Sequence, residues 1–176
     1  MNGLKDHHKK SVLYLLIHSR GVTYYAKKWD NDTNTLLFPK QNFPSGVIEI
    51  LLLDKSYNPV SKRLIFCDNK DQASVELIPH TDNVDGNEKV KLDISISNPT
   101  SSPLKGNFSI SITNEKYTPI DQKKNILTYL LLSSDIQGNI EEPGFYFQAD
   151  EPLALLALDN LMLTQYIQPH FVHIVN

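Results

Sequence analysis

The chain has almost no cysteine. Of its 176 residues only Cys67 is one, so no intramolecular disulfide staples the fold and a cysteine-based zinc site is excluded. Glycine is scarce as well. The seven glycines stand singly, and neither Gly-x-Gly-x-x-Gly nor the Walker spacing occurs, which removes the usual backbone cradle for phosphates. Long apolar runs are missing: Val12 to Ile17 and Leu153 to Leu158 are six residues each, against the roughly 20 needed to cross a bilayer. No membrane span is expected. Excess positive charge is missing too, since 17 Lys and Arg stand against 20 Asp and Glu for a net charge of −3. That balance offers no basic face to neutralise phosphates and argues against nucleic acid as a partner. The charged start, Met1 to Lys10, runs into an apolar segment too short for a secretory leader and without an Ala-x-Ala site, so no signal peptide is expected.

What is present is an ordinary globular composition, 40% hydrophobic, long enough for one core or two small ones. From Ser11 to Pro79 short runs rich in β-branched and aromatic residues are separated by turn residues, which predicts strands near 12–18, 21–27, 34–38, 46–53, 60–66 and 73–78. Val22, Tyr24 and Ala26 alternate with Thr23, Tyr25 and Lys27, the period of a strand with one buried face. Ser19-Arg20-Gly21 and Asp54 to Pro59 read as the connections of hairpins. Strand, turn and strand at this spacing predict an antiparallel sandwich.

A polar stretch, Pro79 to Glu88, marks an expected boundary that divides the chain into 1–80 and 81–176. Beyond it, Lys89 to Ser97 and Gly106 to Thr113 alternate strictly around Asn98 to Pro103 and predict the clearest hairpin in the chain. This hairpin aligns with the one before it at an offset of 44 residues: Ile48 with Leu92, Ile50 with Ile94, Leu52 with Ile96, Pro59 with Pro103, Val60 with Leu104, and Leu64 with Phe108. Two similar units in tandem would give this repeat, as would any two antiparallel hairpins. The period then changes. Ile126, Leu127, Leu130 and Leu131 predict a short helix over 122–134 capped by Asp121, and Leu153 to Thr164 predict a second over 152–165, with Pro152 early and Asp150 as the cap.

Several segments carry a resemblance. Ser45 to Asp54 followed by Pro59 to Phe66 resembles a stretch of bacterial alpha-2-macroglobulin-like proteins. Glu88 to Leu92, Gly106 to Thr113, Leu130 to Pro143 and Ala157 to Gln165 also resemble that family, so the likeness covers about 45–165. It implies immunoglobulin-like, macroglobulin-type β-sandwiches in two tandem units, the first incomplete, in a larger protein of the Gram-negative cell envelope, at the periplasm or outer membrane. Some similar chains continue into a carboxypeptidase-regulatory-like domain and a TonB-dependent receptor plug. The implied role is scaffold or docking, with other domains of the parent protein as partners. The chain departs from the pattern after Gln165, where Tyr166-Ile167-Gln168 stands in place of a Gly-Trp pair, and at its start, where opening strands are lacking. A fragment of a longer protein is therefore expected. Cys67 lies outside any Gly-rich thioester signature, so protease trapping does not carry over.

No constellation of residues predicts catalysis or a cofactor. His7-His8 points to opposite sides of an extended chain. His170 and His173 would share a ligand only on a helix, and their surroundings read as a strand. Asp30, Asp32 and Asn34 imitate the start of a calcium loop, but Thr35 replaces the glycine that such a loop places next and no Glu closes it. A nucleophile elbow is absent, and Glu141-Glu142 before Pro143-Gly144 reads as a turn rather than an acid-base pair. Aromatic clusters are the remaining clue to binding. Tyr24, Tyr25 and Trp29 form one, Phe145-Tyr146-Phe147 another. Tyr25, Trp29 and Tyr146 are the candidate contacts to a protein or glycan, against the plainer expectation that they fill the core. An incomplete sandwich would also leave a strand edge through which two copies could pair as a homodimer.

Overall fold

The computed structural model describes residues 12–30, 35–80, 89–114, 116–119, 121, 123–148 and 151–167. It is mainly β, with two antiparallel sheets and two short helices. The chain divides into two compact units. The larger combines residues 1–69 with 121–176, and the smaller is the insertion between them, 70–120. The expected boundary at 80 falls inside the smaller unit, where β5 (Ser74–Pro79) and β6 (Leu92–Ser97) pair across it.

The larger unit is built on one sheet of order β2-β1-β3-β4, from β1 (Tyr14–Ser19), β2 (Val22–Lys28), β3 (Gly46–Leu53) and β4 (Pro59–Cys67), all antiparallel. The β1–β2 connection is the two-residue turn Arg20-Gly21, both at positive φ (51° and 80°), the geometry whose twist suits a hairpin. A bulge between Ile17 and His18 leaves Tyr24 as the extra residue of β2. β3 and the second half of β4, Leu64 to Cys67, carry apolar residues on both faces, and both faces are covered there. Leu15, Ile17, Ile48 and Cys67 pack with Phe43, with Tyr25, Trp29, Phe38, Ile50 and Ile65 around them. On the other face Val47 and Leu64 pack with Leu132, Ile136, Ile140, Leu158 and Met162. Alternation along β3 produces this split, since Val47 and Ile48 point to opposite sides.

The C-terminal covering layer is helical. α1 (Ile126–Thr128) continues directly into the π-turn Tyr129–Ser133, and α2 spans Pro152–Thr164. The first helix begins four residues later than expected. Asp121 instead closes a local turn, its Oδ1 accepting from the Lys123 N–H at 2.9 Å. The cap is Asn125, in a reciprocal box with Thr128: each side chain accepts from the other's backbone N–H at 3.0 Å. Glu151 caps α2 by accepting from the Leu153 N–H at 3.3 Å; Asp150 lies outside the described residues, as do His7, His8, His170 and His173.

Two expected strands do not form. Residues 35–39 are irregular and bring Phe38 over the sheet, while Leu37 is 90% exposed. Pro39 ends the run, whose side chains are spent on packing rather than pairing, with Phe38 set against Tyr25 and Phe43. Residues 106–113 are also irregular, although the turn before them forms. That turn repeats the β3–β4 connection at the expected offset of 44. Asp54 Oδ1 accepts from Ser56 N (2.8 Å) and Asn58 N (2.9 Å), with Tyr57 at φ 63°. Asn98 Oδ1 accepts from Thr100 N (3.0 Å) and Ser102 N (2.8 Å), with Ser101 at φ 62°. The leading Asx side chain organises both loops in the same way.

Candidate functional site

Of the three candidate contacts, the structure brings two together. Tyr25 faces the same side of the sheet as Ile17, its partner across β1–β2, and Trp29 follows β2, its backbone N–H donating to Leu13 O at 2.8 Å. Both are half-buried and line a cleft of about 220 Å³ with Leu15, Lys27, Lys28, Asp30 and Leu36. The Tyr25 ring stands edge-on to Phe38, centroids 4.9 Å apart, and Lys27 Nζ lies 5.7 Å from its centre. Tyr146 is elsewhere. It packs on the helix-covered face and meets Phe145 at 5.7 Å. All three therefore contribute to packing, and Tyr25 and Trp29 also present ring edges to an open cleft flanked by two lysines.

A second, more apolar cleft of about 330 Å³ lies beside Phe38 and Phe43, lined also by Ile17, Lys40, Ile50, Ile65, Phe66 and Cys67. Burial pushes the Cys67 thiol up from its ordinary value, which lowers its reactivity. Lys40 Nζ donates to Asp68 O at 2.7 Å at the rim of this cleft.

Sequence reasoning missed two polar pairs, one buried and one with a buried carboxylate. His18 and Glu49 are cross-strand partners on β1 and β3, with Nε2 and Oε2 2.9 Å apart and side chains 2% and 11% exposed. Thr23 is the partner of His18 on the other side, and both His18 Nδ1 and Thr23 Oγ1 are buried without a hydrogen-bond partner. A signal was available, because His18 and Glu49 are the lone residues of charge-bearing type in two apolar strands. The other pair is Arg20 with Asp135. Arg20 Nε reaches Oδ1 at 2.9 Å and Nη2 reaches Oδ2 at 2.9 Å, in a forked, charge-assisted arrangement. The hydrogen bond to Asp135 raises the Arg20 pKa further above its ordinary value. Arg20 Nη2 also donates to Leu130 O. The π-turn makes that carbonyl available, since Ser134 N donates to Tyr129 O instead. No sequence pattern points to this pair across 115 positions.

The Asp135 carboxylate is engaged by Arg20 through both its oxygens. Among the described residues no group of three His, Cys, Asp or Glu could hold a metal ion, and no helix is long and apolar enough to cross a membrane. No family model matches the chain, and no curated protein and no solved structure matches it significantly.

Proposed function

We propose that the chain is a non-catalytic structural or protein-interaction module of a larger bacterial cell-envelope protein. One observation carries this reading: β5 and β6 form a hairpin with one wholly apolar face that is left in solvent. Val75 pairs with Ile96, Leu77 with Ile94 and Pro79 with Leu92, and none of these is buried. A soluble monomer gains nothing from such a face, whereas a module that docks against neighbouring domains does. The macroglobulin-like resemblance over 45–165 supports the same reading and adds two tandem immunoglobulin-like units, the first incomplete. It also adds the envelope as location and the parent's other domains as partners, with homodimers through a strand edge where those domains are lacking. The test is genomic first. An in-frame continuation encoding a leader, earlier strands and a receptor-like region is expected, and the longer protein should then protect the Val75, Leu77 and Ile94 amides from exchange. A gene bounded by its own promoter and stop codon, encoding only this chain, would count against it.

The cleft beside Tyr25 and Trp29 favours a second reading, a carbohydrate-binding or adhesive module of an outer-membrane nutrient-uptake system. Exposed aromatic edges next to Lys27, Lys28 and Asp30 are groups that stack on and hydrogen-bond to sugars. Calorimetric titration with oligosaccharides is expected to give a binding heat that is lost in Trp29→Ala and retained in Tyr146→Ala. Equal responses from both variants would sink this reading.

A further inference from the structure

The peptide groups of β6 alternate between its two edges. Those of Lys91 face β5, since its carbonyl accepts from His80 N at 3.0 Å. Those of Ile96 face the other way, because its carbonyl accepts from Leu104 N at 3.0 Å. Period two therefore places the Ile94 and Leu92 groups on that same outer edge. A second strand has begun there. Ser97 and Pro103 form an antiparallel bridge, and proline is tolerated at this position because the neighbouring even-numbered residues carry the ladder bonds. The ladder stops after Leu104, and Phe108, Ile110 and Ile112 lie 59%, 60% and 83% exposed.

We propose that residues 104–110 are a strap that zips onto the free edge of β6, with Gly106 opposite Ile94, Phe108 opposite Leu92 and Ile110 opposite Val90. Three observations converge on it. The bridge and the Leu104 bond both fix the pairing rule that partner numbers sum to 200. Under that rule Leu104, Phe108 and Ile110 land on the face that already carries Val75, Leu77, Ile94 and Ile96, so the extended sheet keeps one apolar side. A slip of one residue would send all of them to the polar side. The Phe108 ring also already covers Gly106, its nearest atom 3.5 Å from where a Cβ would stand, and so fills the gap that glycine would leave over Ile94. The larger unit provides the precedent for a strand at this place, since β4 follows the equivalent loop at Asp54. There a bulge between Leu52 and Leu53 shifts the register by one, a shift that the Leu104 bond to Ile96 excludes at the start of the strap. Zipped, the strap covers an edge that would otherwise recruit a second chain. The inference does not depend on the function proposed above.

Amide exchange followed residue by residue in the full chain tests it. Gly106, Phe108 and Ile110 should exchange at least tenfold more slowly than Asn107, Ser109 and Ser111. Uniform exchange over 105–111 would overturn the strap, and protection at 107 and 109 instead would overturn the register. Phe108→Pro removes one ladder donor of the strap. It should abolish protection at Gly106 and produce concentration-dependent dimers in light scattering, while Trp29 fluorescence stays unchanged. A variant that keeps the Gly106 protection, or that stays monomeric at every concentration, would show that the strap does not guard the edge.

Discussion

The two units use the same sequence device and obtain different results from it. In the larger, alternating strands lie between a helical layer and an aromatic loop, and every buried described residue of the chain belongs to this unit. In the smaller, β5 and β6 alternate more regularly, and none of the described residues between 70 and 120 is buried. Periodicity makes a strand, but only a second layer makes a core. The largest expected effect tests this difference directly. Leu132→Ala, at a fully buried position against the sheet, should cost about 3 kcal/mol, read as a lower urea midpoint in Trp29 fluorescence. Ile94→Ala, at a residue 45% exposed, should shift that midpoint by less than about 0.5 kcal/mol. Similar costs for the two would erase the distinction between the units.

A finer version of the comparison concerns ion pairs. Arg20→Met leaves the Asp135 carboxylate, 7% exposed, without its partner. The expected cost is about 2 kcal/mol, less than for a fully buried pair because 45% of the Arg20 side chain stays in solvent. Lys123→Ala breaks a pair with Glu142 whose side chains are 64% and 53% exposed, and denaturation should barely register it. If the two variants denature alike, the Arg20 clamp is not holding the C-terminal layer.

The smallest effect separates the two matching loops. Asp54 is held below the ordinary carboxylate range by the N–H groups of Asn58 and Ser56. A lowered folded value means that the charged form supports the loop at neutral and mildly acidic pH, and that this support is lost as pH falls through the lowered value. Asn98 makes the same bonds without titrating. Chemical shifts of residues 56–58 should therefore move on acidification while those of 100–102 do not, and Asp54→Asn should remove the difference. Movement in both loops would assign the acid response to something other than Asp54.

How far the fold could be read from the sequence follows from where the determinants lie. Strands 14–19, 22–28, 46–53, 59–67 and 74–79 were legible because alternation and turn residues are local signals. The 44-residue echo was legible for the same reason, since one Asx side chain sets each loop. Residues 35–39 misled because Leu36 and Leu37 imitate a strand, while the packing of Phe38 against Tyr25 and Phe43 is tertiary and leaves no local signal. Capping by Asn125 rather than Asp121 was missed because both are good caps, and the reciprocal bond with Thr128 decides between them. At the site, Tyr25 and Trp29 fall together because β2 carries one and ends just before the other. Tyr146 lies on the opposite face, a separation set by tertiary packing alone.

The Arg20–Asp135 clamp also bears on how the protein is made. The sheet that carries Arg20 is complete once residue 67 has been synthesised, yet the layer that seals its second face begins near residue 125. At about 5–20 residues per second, a ribosome takes on the order of ten seconds to deliver residues 68–167. During that interval Val47, Leu64 and Phe66 have nothing to pack against, and the inserted unit of 70–120 offers no core of its own to cover them. The nascent chain is therefore a natural client for a chaperone until Asp135 arrives and the turn at Arg20 can close on it.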